Sequence, residues 1–153
     1  MLPLSVQPIS PDAFASYGRV VALSAVPPTA SDDTFAYWSD LASYAIDGDT
    51  EIGICTVYRQ GEPTISWMER HDKTPEVLIP IDVPFALPVM GDSDKVEIFQ
   101  VDPGEAVIID TGVWHSACQP IGASEATYFV VFRRGTPQED VHKRDLAPLA
   151  VSS

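Results

Sequence analysis

Between Glu51 and Arg133 the chain breaks into eight short β-type runs, each closed by Gly, Pro or Asp, and this punctuation restricts its possible folds more than any other feature. The runs cover residues 52–59, 64–71, 77–81, 85–89, 96–101, 106–109, 113–118 and 127–133. No helical period connects them. Short strands at such regular spacing, joined by turn-forming residues, predict an all-β antiparallel sandwich or barrel.

The rest of the chain is arranged around that block. A length of 153 residues suits one domain that buries a full core without disulfide or metal staples. Residues 1–50 are expected to hold a short N-terminal helix, a strand and a loop, residues 51–134 the barrel core, and residues 135–153 a tail. The helix is placed over Ser10–Gly18, with Ser10 as N-cap, Pro11 in the first turn and Gly18 as terminator. Val20–Leu23 reads as a strand and Ser24–Thr34 as a loop rich in Pro, Ser and Asp. The tail is polar, with Pro137 and Pro148 and a helical turn expected around Glu139–Arg144, as a terminal wrap or a frayed end.

Charge and cysteine usage remove several classes of partner. The formal charge is −13, from 22 acidic and 9 basic residues, so the summed field repels phosphate backbones and anionic lipids. Nucleic acid and membrane surfaces are therefore not expected as partners. No apolar run is long enough to cross a bilayer, and the start MLPLSVQPISPD has neither the basic nor the apolar region of a secretory signal, so a cytoplasmic location is expected. Cys55 and Cys118 fit buried thiols in a reducing compartment. The same field repels a small anionic substrate, which would need local positive charge from a metal ion or an arginine.

The candidate chemistry sits in two separated segments. Alternation along Ile65–His71 puts Ile65, Trp67, Glu69 and His71 on one face and Ser66, Met68 and Arg70 on the other. A carboxylate and an imidazole on an apolar face must be paired, hydrogen-bonded or metal-coordinated, because burying them otherwise is costly. In Gly104-x5-Asp110-x-Gly112-x2-His115, the Asp110-Thr111-Gly112 turn leads into a strand on which Val113, His115 and Ala117 share a face. His71 and His115, with Glu69 and Glu76, are thus candidate ligands of a divalent metal ion, and Glu69, His71 and His115 the candidate catalytic groups. Arg133 and Arg134 end a strand on opposite faces, so that one of them can enter the cavity mouth and hold a carboxylate, with Trp67 as a further substrate contact.

These segments resemble the two cupin motifs. The second has Asp110 in the place of proline and Gln119 where asparagine is usual. The first has Glu69 in place of its first histidine, as Glu69-x-His71-x4-Glu76. The chain is more closely similar to the ureidoglycolate lyase family, through Ala13-Phe14-Ala15-Ser16-Tyr17-Gly18, Asp40-Leu41-Ala42, Glu69-Arg70-His71, Ile79-Pro80 and Val113-Trp114-His115, in that order. It departs from the family pattern at Ile109, Asp110 and Ser116, and in Thr34–Trp38, where an Asn-rich stretch is usual. The resemblance implies a cupin-like jelly-roll barrel, a homodimer, nickel as the divalent ion, and a carbon-nitrogen lyase that releases urea and glyoxylate from ureidoglycolate. Two rival readings keep the cupin fold but change the activity: a metal-dependent isomerase or hydrolase acting on a small sugar acid, and a non-catalytic module that binds a small acid. A third treats the histidines as ordinary core residues.

Overall fold

The computed structural model describes residues 3–23 and 25–152. Ser24, at the start of the expected loop, and the outermost residues Met1, Leu2 and Ser153 lie outside the described residues. The strands are β1 (Leu4–Pro8), β2 (Gly18–Ala22), β3 (Ala30–Ser31), β4 (Ala36–Tyr37), β5 (Thr50–Tyr58), β6 (Thr64–Arg70), β7 (Glu76–Pro80), β8 (Phe85–Met90), β9 (Val96–Val101), β10 (Glu105–Ile109), β11 (Trp114–His115), β12 (Gln119–Pro120), β13 (Glu125–Arg133) and β14 (His142–Ser152). One four-residue helix, α1 (Thr136–Glu139), precedes β14. Each of the eight expected runs contains a strand, so the all-β, cupin-like expectation holds.

The strands form two principal layers. One sheet has the order β11-β6-β14-β1-β9-β8-β12, and an additional pairing between β11 and β8 closes six of its strands into a barrel. The other has the order β2-β10-β7-β13-β5. Each layer buries its own apolar set. Ile65, Met68, Ala86, Met90, Val96 and Ile98 form a cluster supplied only by the closed sheet. Phe85, Leu87, Val89, Phe99 and Val101 of that sheet meet Leu78, Val107, Ile109, Ala126 and Tyr128 of the five-stranded sheet in a second cluster. β8 serves both because its side chains alternate between faces, and all six of its residues are buried. A fully buried phenylalanine in such a place contributes about 2–3 kcal/mol.

Three parts of the sequence reading are corrected. Ser10–Gly18 is a succession of turns and not a helix: Ser10 Oγ accepts from the Ala13 amide as a cap would, but the amides of Tyr17 and Gly18 both donate to the Phe14 carbonyl. Phe14 and Tyr17 are drawn into the core, where Phe14 meets Phe99 edge-on at 5.2 Å, and this tightens the backbone. The tail is not frayed, and its helix ends at Glu139 where a helical turn was expected to begin. It supplies α1 and then the 11-residue β14, antiparallel to β6. The barrel is also not wholly antiparallel, since β1 runs parallel to both β14 and β9.

The register of β14 against β6 shifts between Asp145 and Leu149, where Pro148 lacks an amide to donate to the ladder. Within β6 the expected side-chain phase is also broken: Ile65 joins Met68 in the barrel cluster and does not share a face with Glu69. The expected separation survives at Trp67 and Glu69, which face the space between the layers.

Gly18 shows how closely β2 approaches β10, because a Cβ built there would lie 1.8 Å from the Ile108 carbonyl oxygen. Gly18→Ala is expected to destabilise the protein by about 3 kcal/mol or more, since backbone has to move. Gly61→Ala, at a position with open space around it, is expected to be near neutral. Urea unfolding of the two variants against the parent checks this, and equal stabilities would contradict it.

Candidate metal centre

His115 owes its place to β11, a two-residue strand that pairs with β6 on one side and β8 on the other. The register sets His115 directly opposite Glu69. Alternation then turns Trp114 toward the barrel cluster, beneath the Arg70 guanidinium at 4.8 Å, and His115 toward the layer between the sheets. His71 lies one residue beyond the end of β6. Its carbonyl accepts the Gly112 amide at 2.7 Å, which ties the two candidate segments together. Gly112 adopts φ 81, a left-handed conformation in which a Cβ is disfavoured, so the glycine that framed the motif is needed for this turn.

Four side chains converge. The His71 and His115 rings lie 5.1 Å apart, and both are buried. The Glu76 carboxylate bridges them, with Oε2 2.9 Å from His115 Nε2 and Oε1 3.7 Å from His71 Nε2. Glu69 Oε2 is 3.6 Å from His71 Nε2. One donor atom from each of Glu69, His71 and His115 falls within 4.8 Å of the others. This is a compact cluster of the oxygen and nitrogen donors that suit a divalent ion.

The outer nitrogens of both rings are already occupied. His71 Nδ1 donates to the Asp140 carbonyl at 2.7 Å and His115 Nδ1 to the Val113 carbonyl at 3.1 Å. With Nδ1 carrying the proton, the neutral ring presents an unprotonated Nε2 to the cluster, the arrangement that prepares a histidine to ligate metal. His71 Nε2 is buried without a hydrogen-bond partner. A buried imidazole nitrogen without a hydrogen bond, set between two carboxylates, fits the donor set of a divalent cation.

Electrostatics bind the cluster together. Burial alone would push the His71 imidazole down, but Glu76, the Asp140 carbonyl and Glu69 outweigh it and raise the group to about 8. His115 is likewise opposed by burial and raised on balance by Glu76. Burial would lift the Glu76 carboxyl, yet the two imidazoles hold it down to about 2.

Glu69, Glu76 and His115 line a cavity of about 350 Å³ together with Trp67, Glu51, Cys55, Cys118, Tyr128, Val130 and Phe132. Trp67 therefore stands where the sequence placed it, with Lys143 Nζ over its outer face at 5.2 Å. Arg133 and Arg134 do not reach this lining. Arg133 bonds the Asp47 carbonyl at 2.8 Å, and Arg134 is exposed, because the strand alternation that sends Phe132 inward sends Arg133 to the opposite side. Among the described residues, no Lys or Arg lines the cavity. The sequence reading passed over Glu51, Cys55, Cys118 and Tyr128 as site residues; the period-2 pattern of β5 and β13 was the available signal for Glu51, Cys55 and Tyr128, and Cys118, between β11 and β12, had none. Burial raises both the Tyr128 hydroxyl and the Cys118 thiol, so each stays protonated as a cavity wall.

Residues 1–152 match the family described as Ureidoglycolate lyase. The chain belongs to the ureidoglycolate lyase family. Its relatives include the ureidoglycolate lyase of Rhodobacter capsulatus, 30% identical over 86% of this chain and 87% of that protein. They also include ureidoglycolate lyase 2 of Rhizobium meliloti, 29% identical over 88% of each. Among solved structures, the chain resembles the oxalate decarboxylases of Bacillus subtilis (TM-score 0.46, 15% identity, 67% of this chain) and Lactobacillus farciminis (TM-score 0.48, 17% identity, 65% of this chain). It spans only 24% and 27% of those longer chains. Mn(II) centres are described for the Bacillus enzyme.

The charge cluster predicts a pH signature for the metal-free protein. His71 is raised from 6.5 to about 8, so its stabilising share is complete below pH 6.5 and is lost as pH rises through about 8. Glu76 is lowered from 4.5 to about 2, so its share is complete above pH 4.5 and is lost as pH falls through about 2. The cluster should therefore stabilise most between pH 4.5 and 6.5. Raising the pH from 6 to 9 should remove about 2 kcal/mol of it. Urea unfolding in chelator at several pH values measures this, and Glu76→Gln should flatten the dependence. Parallel profiles for parent and variant would contradict the assignment.

Proposed function

We propose that the protein is a ureidoglycolate lyase that binds its substrate against the Glu69, His71, Glu76 and His115 cluster and releases urea and glyoxylate. Family membership along the chain supports the substrate. The orphaned Nε2 of buried His71 supports a centre that holds a divalent cation, with Glu69, His71 and His115 as its ligands, Glu76 beside them, and nickel as the proposed ion. When bound, such an ion neutralises negative charge on the substrate and lowers the pKa of a hydroxyl next to it.

The chain's own groups account for substrate placement and proton transfer. Among the described residues no lysine or arginine lines the cavity, so the substrate carboxylate is drawn to the histidine end, away from Glu51. Trp67, Val130 and Phe132 form apolar walls that displace water from the reacting carbon. Glu76, the carboxylate beside those ligands, takes the proton of the carbinol hydroxyl. The oxygen electrons form the carbonyl of glyoxylate as the carbon-nitrogen bond breaks. The same proton, returned by Glu76, completes urea at the departing nitrogen. In the metal-free protein the 2.9 Å contact with His115 keeps this carboxylate beside the centre.

The same proposal covers assembly and location. Ile52, Ile54 and Tyr58 stand exposed on β5, which is the edge strand of its sheet. Ile52 and Ile54 pair with Val131 and Phe129, so an uncharged patch lies between Glu125 at one end of the strand pair and Arg133 at the other. On a chain of net charge −13, an uncharged patch is where a second copy meets least repulsion, and a homodimer across it is proposed. Both cysteines are free, the state of a reducing compartment, and a cytoplasmic location belongs to the same reading.

Glyoxylate release from ureidoglycolate by the purified protein, measured with nickel, with manganese and with chelator, tests the activity. Turnover is expected with metal and a large loss in chelator. His115→Ala is expected to lower the rate by about 10²–10⁴-fold while the near-ultraviolet circular dichroism is unchanged. No glyoxylate above background with any metal would refute the substrate. Sedimentation of Ile54→Glu against the parent tests the dimer face, and the variant is expected to be monomeric.

A further inference from the structure

We propose that Asp140 is the positioning residue of the centre, which sets the place and the tautomer of His71 from the far end of the chain. The inference rests on the reading of His71 as a metal ligand. β6 ends at Arg70, so no strand ladder holds His71 or the two residues that follow it. Asp140 supplies the missing hold twice. Its carboxylate, on a residue only 2% exposed, accepts the Asp72 amide through Oδ1 at 3.0 Å and the Lys73 amide through Oδ2 at 2.9 Å. Its main-chain carbonyl accepts His71 Nδ1 at 2.7 Å.

The two holds have different consequences. Burying a carboxylate costs several kcal/mol unless its oxygens are satisfied, and here the amides of the turn after His71, with His142 Nε2 at 3.3 Å from Oδ1, satisfy them. The turn is thereby locked against residue 140, and the Asp140 carbonyl cannot drift from the ring. In the neutral ring that carbonyl keeps the proton on Nδ1, so Nε2 faces Glu69 and Glu76 with its lone pair free. Asp140 is itself fixed by its amide, which donates to the Thr136 carbonyl at the end of α1. The segment linking α1 to β14 thus prepares a ligand 69 residues earlier.

Two readouts test this without relying on turnover. The chain has three histidines, so ring ¹⁵N spectra of the metal-free protein at pH 9 resolve each tautomer. The parent should show His71 as a single Nδ1–H form, and Asp140→Ala should show a mixture. Ni²⁺ affinity measured by calorimetry should fall about 10–100-fold in Asp140→Ala, with Asp140→Asn intermediate because one acceptor oxygen survives. Ile98→Val, in the barrel cluster, controls for general loss of stability and should leave both readouts at parental values. Asp140→Asn, equal in size to the parent residue, carries the test if Asp140→Ala does not fold. A parental tautomer and parental affinity in the Asp140 variants would overturn the inference. Failure of the parent to bind Ni²⁺ would sink the metal reading, and the ring spectra would still decide the role of Asp140.

Discussion

A strand of two residues carries much of this architecture. β11 pairs with β6 and with β8, and those pairings close the six-stranded barrel. The same hydrogen bonds place His115 against Glu69, so barrel closure and assembly of the charged cluster are a single event. Because successive side chains on a strand point to opposite faces, Trp114 completes the barrel interior while His115 enters the space between the sheets. A one-residue slip would exchange them, leaving an indole in the cavity and an imidazole in an apolar core. The neighbouring glycine turn holds the register, since the Gly112 amide bonds the His71 carbonyl.

Charge gives this arrangement its chemical direction. The protein is strongly acidic, and the cavity adds Glu51, Glu69 and Glu76 without any lysine or arginine in its lining. Within the cluster, the carboxylates raise the histidines and the histidines depress Glu76, so the metal-free site is a small ion-pair network that replaces part of the lost hydration. A divalent cation would compete with protons for the same nitrogens. Under the proposed function the cluster would then be both a stabilising element and a receptor, its proton occupancy linking stability to metal uptake.

Legibility in the sequence followed the range of the interactions involved. The eight runs between residues 52 and 133 were readable because alternation and turn residues act within a few positions. Glu69, His71, Glu76 and His115 were readable as a group because strand faces and a glycine-framed turn are local patterns. β14 was not: its Pro148 and scattered charges argue against a strand, and only pairing with β6 makes one of it. The turns at 10–18 show the converse, where good local helix signals yielded to the burial of Phe14 and Tyr17. Arg133 looked available for substrate on alternation alone, but the chain around Asp47, far away in sequence, claims its guanidinium.

From its sequence, this chain determined that it would be built of short strands, that it would carry a strong negative charge, and which four side chains were candidates for a cation. These follow from composition and short-range periodicity, which need no knowledge of where distant segments meet. Only the tertiary structure decided that β11 closes the barrel, that the arginines stand outside the cavity, and that Asp140 holds the turn after His71. Those outcomes depend on contacts between residues tens of positions apart, where register and packing choose among arrangements that local sequence leaves equal.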